Sequence, residues 1–277
     1  MVAASELDGI RNAISKLDEN TRAVTKRIIA ETWDKGPDVV RQALMEQLPD
    51  IMSAACSVSS EMAAATYDEW RVRQLGETMG AKAVDTKVAG RIAAAINTAV
   101  SAPTANLAVN ILAGRIGYEV RNAYSATMFG NAKAECSEPM PKRQGRRYSK
   151  PKSSDAKAYR SKPRFARIPT GTETCDFCLM LASRGFVYVN GEDGVKVHNH
   201  AHCQCVYVVQ WGDNPAVEGY DPSECYDKWQ DTIKTQAEQS AERNGTTVGD
   251  EMAKIKQRYK DAAIRAEERA KENESKV

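Results

Sequence analysis

The chain has 277 residues, too long for one small domain. At 42% hydrophobic and 27% charged it has the balance of an ordinary globular protein, although 6% aromatic is lean. The formal net charge of +2 hides a segregation: residues 141–167 hold eleven Lys or Arg against the single acid Asp155, a local +10 that leaves −8 elsewhere.

Up to about residue 130 the pattern is helical. Ile10, Ile14 and Leu17 make one short stripe, Val24 and Ile28 begin another, and Val40, Leu44, Leu48 and Ile51 recur at three- to four-residue spacing. Gly36-Pro37 breaks the first pair of helices, and Pro49 is expected to kink its helix without ending it. Many alanines and little β-branched alternation predict an all-helical bundle. Residues 92–114 carry no charge, which raises the question of a membrane span, since a spanning helix needs about 20 apolar residues. Asn97, Thr98, Ser101, Pro103, Thr104, Asn106 and Asn110 argue against insertion. The segment is expected to be one buried, small-residue helix.

Residues 136–163 read as a basic, Pro- and Ser-containing arm with no amphipathic period. Lys142, Arg143, Arg146, Arg147, Lys150 and Lys152 would attract phosphate by a salt-dependent, sequence-independent term, so nonspecific contact with DNA is expected, with a solvated linker or an acidic protein partner as the alternatives. Tyr148, Tyr159 and Phe165 are interleaved, too sparsely to define a stacking platform.

The next stretch, 174–211, concentrates four of the seven cysteines and all three histidines. Cys175 and Cys178 can turn both sulfurs to one ion, and Cys203 and Cys205 share a strand face because side-chain direction repeats every two residues. Zn²⁺ takes four ligands. The expected set is Cys175, Cys178, His200 and one or both of Cys203 and Cys205; His202 could stand in for one thiolate, and His198 is a bystander. Two disulfides are the bland alternative. The first twenty residues carry Glu6, Asp8, Arg11, Lys16 and Asp18 in place of an apolar leader, which predicts synthesis in a reducing cytosol where lasting disulfides are uncommon. No general base is evident beside the cluster, so the zinc is expected to be structural. Residues 178–183 suggest a short helix, while Phe186-Val187-Tyr188-Val189, closed by Asn190-Gly191, and the run from Cys205 to Trp211 suggest strands. Such a small α+β unit would draw folding energy from its metal.

After Trp211 the pattern returns to polar helix. Asp221-Pro222 starts one segment, Thr247 with Asp250 resembles a capping box, and Met252, Ile255, Tyr259, Ala262 and Ala266 form a narrow stripe that docks on its own chain or on a partner helix. Cys56, Cys136 and Cys225 have no partner at metal spacing. The whole divides into a helical domain (1–135), the basic arm (136–163), a zinc-binding α+β module (164–212) and a charged helical tail (213–277), mainly α in class.

The run Phe165-Ala166-Arg167-Ile168-Pro169-Thr170-Gly171-Thr172-Glu173-Thr174-Cys175-Asp176-Phe177-Cys178-Leu179-Met180-Leu181-Ala182-Ser183-Arg184-Gly185-Phe186-Val187-Tyr188 is closed by His200-Ala201-His202-Cys203-Gln204-Cys205 and followed by Tyr220-Asp221-Pro222. It resembles the MuF-like minor head proteins of tailed bacteriophages, in the form common among phages of actinobacterial hosts. Members often have Pro in place of Ala201 and Arg or Asp in place of Gln204; neither change removes a ligand. The resemblance implies a minor capsid protein of the virion, associated with the portal and other head proteins and acting in head morphogenesis, DNA packaging or ejection. It implies no small-molecule substrate. Two other classes compete: a zinc-ribbon nucleic-acid-binding protein, for which no recognition helix is evident, and a metal-dependent nuclease or deaminase, whose His-x-Glu and Pro-Cys-x-x-Cys order is not met here. An enzyme is therefore not expected.

Overall fold

The computed structural model describes residues 1–136, 162–171, 174–188, 204–212 and 214–274, with side chains described through residue 261 apart from 188. Mainly helical, the fold begins with two long helices, α1 (Ala4–Thr32) and α2 (Pro37–Leu75). Leu7, Ile10, Ile14, Ile28 and Ile29 set the buried face of α1. Gly36 separates the two helices at φ 97°, a conformation that side-chain-bearing residues rarely adopt, and Pro37 follows at the first helical position, where no amide is needed. As the sequence predicts, α2 runs on through Pro49; it ends at Gly76 in the left-handed conformation.

The uncharged segment 92–114 departs from expectation. It is not one helix but parts of two, α3 (Ala89–Ala99) and α4 (Ala105–Glu135). Pro103 has no amide to continue the ladder, and Thr104 restarts it by accepting the Leu107 amide at 3.3 Å. One face of each half is buried, at Ile92, Ile96, Ala99, Ala108 and Leu112, while Ala94, Ser101 and Leu107 are exposed. Among the described residues no helix is long and apolar enough to cross a membrane.

Between α2 and α3, residues 77–88 carry neither helix nor strand. Such a segment leaves its backbone polar groups without partners in its own element, and here side chains of the helices supply them. Asp68 accepts the Met79 and Ala81 amides at 3.2 and 2.9 Å. Asn131 bonds both the amide and the carbonyl of Lys82 at 2.9 Å, Thr127 accepts from Val84 at 3.1 Å, and Ser60 donates to the Val84 carbonyl at 2.9 Å.

Among the described residues three strands follow, β1 (Arg164–Ile168), β2 (Val187–Tyr188) and β3 (Val206–Gln210), with the short helix α5 (Asp176–Ala182) between β1 and β2. They form one antiparallel sheet of order β2-β1-β3, in which Arg164 pairs with Gln210 and Ile168 with Val206. β1 was not expected: residues 164–168 open the α+β module, but their pattern gives no strand. Arg167 is only 3% exposed, so the guanidinium belongs to the interior and not to a phosphate-binding surface. Periodicity does not reveal this strand because it is buried on both faces and shows no polar alternation.

The sheet shares the core of the helices. Phe165 meets Phe129 of α4 edge to face at 5.8 Å, and Trp211 meets Tyr67 of α2 at 5.2 Å. Trp211 also donates its backbone amide to Gln74 at 3.0 Å and its indole N–H to Glu135 at 3.2 Å. One continuous cluster runs from Leu7 through Met52, Trp70 and Leu112 to Ala166 and Val208. The apolar support of the α+β segment is therefore the bundle itself. The chain start is pinned to the loop after β3, with Val2 bonded to Ala216 and Glu218.

Helices α6 (Pro222–Asn244) and α7 (Val248–Glu274) form a C-terminal hairpin. Asp221 caps α6 by accepting from the Ser223 amide at 2.8 Å, and Thr247 accepts from the Asp250 amide at 3.2 Å. Met252, Ile255 and Tyr259 pack on Trp229, Ile233 and Ala237 of α6 in a second, separate cluster. That part of the tail stripe is thus covered by its own chain.

Candidate metal centre

Helix α5 is positioned from both sides. Cys175 is its N-cap, and the sulfur accepts the Cys178 amide at 3.4 Å, so the Cys-x-x-Cys spacing closes on itself through a main-chain bond. Cys175 is exposed; Cys178 is 1% exposed beneath the sheet. Asp176 receives Gln236 of α6 and Tyr259 of α7, the latter at 3.2 Å. Burial, reinforced by the Asp176 charge, pushes the Tyr259 phenol up, which keeps it a donor. The other end of α5 is held by Tyr220, whose hydroxyl donates to the Ala182 carbonyl and whose ring meets Phe186 at 6.4 Å. The turn passes through Gly185 at φ 65°, where a Cβ would also stand 3.2 Å from Pro222.

On the sheet side the contact is Arg167. It donates from one terminal nitrogen to Cys178 Sγ at 3.1 Å and from the other to the Tyr207 hydroxyl, with the guanidinium carbon 4.8 Å from the centre of the Tyr207 ring. Tyr207 lies directly opposite Arg167 in the β1–β3 register. Cys205 stands just before β3, half-buried. The loop after β1 is tied towards it: Thr170 donates to the Gln204 carbonyl while Arg11 of α1 donates to the Thr170 carbonyl.

The structure thus describes Cys175 and Cys178 at the start of α5 and Cys205 just before β3, whereas His200, Cys203, His198 and His202 lie outside the described residues. So do Lys142, Arg143, Arg146, Arg147, Lys150 and Lys152 of the basic arm. Among the described residues no group of three or more His, Cys, Asp or Glu side chains comes together as a metal site, and the zinc module expected from the sequence is not seen assembled. The donors that are described have suitable chemistry, two sulfurs on one turn with a cation against the buried one. Cys56, Cys136 and Cys225 lie apart. Burial, helped by the Glu119 charge, pushes the Cys56 thiol up to about 12, and burial raises Cys136 and Cys225 as well, so all three favour the inert neutral form.

Among the described residues, sequence reasoning missed three ionic knots that hold the scaffold, two of them on buried acids. Glu119 is wholly buried and takes Arg91 in a two-pronged bond at 2.8 and 2.7 Å, with Arg115 at 2.5 Å. Asp18 binds Arg22 at 2.5 and 2.8 Å and Arg121 at 3.4 Å, against Gly117, where a Cβ would meet Arg121 at 2.6 Å and Arg22 at 2.7 Å. Glu135 collects Tyr67 at 2.6 Å, Arg71 at 2.9 Å and the Trp211 indole. A charged residue on an otherwise apolar helix face, as at Asp18 or Glu119, is the sequence signal that marks them.

Fold and site together define a mainly helical protein whose small antiparallel sheet packs on the bundle and carries a Cys-x-x-Cys helix against β1. The sequence model of the VG15 protein family matches residues 1–232, and the chain belongs to that family, a family of phage gene products. The match takes in the bundle, the sheet and the first part of α6, stopping short of α7. No curated protein and no solved structure matches the chain.

Proposed function

We propose that this phage protein is a minor head protein of the MuF-like kind, located in the virion at the portal vertex and acting in head morphogenesis, DNA packaging or ejection. The observation that carries the reading is the ordered run from Phe165 to Tyr188, closed by the Cys-x-Cys of Cys203 and Cys205, within a chain of a phage gene-product family. On this reading the zinc is structural, held by Cys175, Cys178, His200 and one or both of Cys203 and Cys205, and the protein is not an enzyme. The basic arm touches packaged DNA without sequence preference, while attachment to the portal and other head proteins runs through the helical bundle, because the 252–259 part of the tail stripe is occupied by α6.

Two measurements test this. Purified virions should contain the protein at low copy, and particles disrupted to free portal complexes should retain it. Its absence from virions and from portal complexes overturns the assignment. Elemental analysis should give about one zinc per chain. Metal-free protein with Cys175, Cys178, Cys203 and Cys205 all freely titratable while folded overturns the zinc centre.

A further inference from the structure

We propose that Arg167 is a positioning residue of the metal centre, fixing the Cys178 sulfur through a hydrogen bond supplied from the sheet. The inference rests on the zinc reading above and names a residue that metal-ligand spacing does not reveal. Cys178 and Arg167 are both almost wholly buried, at 1% and 3% exposure, and a terminal guanidinium nitrogen stands 3.1 Å from the sulfur. Arginine stays charged at every pH a protein survives, so the donor on this sulfur is a permanent cation. A thiol is a weak neutral acceptor; a metal-bound thiolate carries the charge that makes such a contact strong in a low-dielectric interior. The cation is also held from outside α5. Arg167 and Tyr207 are paired across β1 and β3, the Tyr207 hydroxyl accepts the other arm of the fork, and the ring lies under the guanidinium at 4.8 Å. The sheet therefore sets the donor's direction independently of the helix that carries the sulfur.

In a four-coordinate site rich in thiolates the ligands outweigh the +2 of the ion, and a cation directed at one sulfur offsets the excess negative charge. Outer partners of metal ligands commonly change affinity by about 10- to 100-fold when removed. The full chain should be prepared as wild type, Arg167→Met, Arg167→Lys and Tyr207→Phe, and each titrated with zinc against a chromophoric chelator and with cobalt, whose sulfur-to-metal absorption band reports the electron density on the thiolates. The expected result is that Arg167→Met binds zinc about 10- to 100-fold more weakly and shifts the cobalt band, that Arg167→Lys recovers part of both, and that Tyr207→Phe moves both in the same direction by less. Packing alone would not shift the band or be rescued by lysine. Folded Arg167→Met with wild-type affinity and an unmoved band overturns the inference and leaves the zinc centre standing. If Arg167→Met does not fold, unchanged affinity and band in Tyr207→Phe overturn it. Wild-type protein that binds neither metal overturns the zinc centre itself, and the inference with it.

Discussion

Replacing Ile255 by Ala asks what the tail stripe does. Ile255 is 7% exposed and packs with Ile233 and Ala237, both fully buried, between Trp229, Met252 and Tyr259. This cluster is separate from the main core, so the α6–α7 hairpin has little apolar burial of its own to lose. Truncation of a buried isoleucine costs about 2–5 kcal/mol, and a small cluster that can partly collapse belongs at the low end, about 2–3 kcal/mol. At about 1.4 kcal/mol per factor of ten, that is roughly a 30- to 150-fold rise in the population of the locally opened hairpin. Hydrogen exchange followed by mass spectrometry on peptides from α6 and α7 should show amide exchange faster by that factor, with α2, α4 and β3 unchanged. Tyr259 and Gln236 leave Asp176 when the hairpin opens, so the α5 peptide should also exchange faster. Unchanged exchange in α7, with the protein lost from virions, would refute the reasoning and return the stripe to a docking role.

Three other outcomes are expected. Glu135→Gln weakens bonds from Tyr67, Arg71 and the Trp211 indole at a site 12% exposed, and should cost about 1–3 kcal/mol; bundle helicity and β3 exchange protection should be lost together in urea, whereas separate transitions would contradict the shared core. Burial raises the Asp68 carboxyl, but bonds from Thr78 and from the Ala81 and Met79 amides outweigh it and hold the group below its ordinary 3.8. A depressed folded value means stability present above 3.8 and lost as pH falls through the folded value, so exchange at residues 79–81 should accelerate in acid below pH 3.8 before the helices melt, and Asp68→Asn should abolish that pH dependence. Replacing Lys142, Arg143, Arg146, Arg147, Lys150 and Lys152 by Gln should reduce DNA affinity and flatten its salt dependence by up to about 0.9 for each phosphate that the arm no longer neutralises; an unchanged slope measured in the same titration removes the arm from DNA binding.

The sequence by itself determined the helical class, the break at Gly36-Pro37, the continuation through Pro49, the caps at Asp221 and Thr247 and the short elements β2, α5 and β3. Each is written in neighbouring residues: an apolar period, a missing amide, a side-chain oxygen beside open amides. The Cys-x-x-Cys pair was legible for the same reason, since its spacing is local and closes through one amide bond. Tertiary structure decided what depends on residues far apart in the chain. The uncharged segment 92–114 became parts of two helices separated at Pro103, and both of those helices pack on α2. The last two arginines of the basic run entered or edged a buried strand, where Arg167 found Tyr207 forty residues away and the sulfur of Cys178. The tail stripe closed on α6. Periodicity names the face that must be covered; which surface covers it is settled by chain connectivity and by packing among elements brought together only when the whole chain folds.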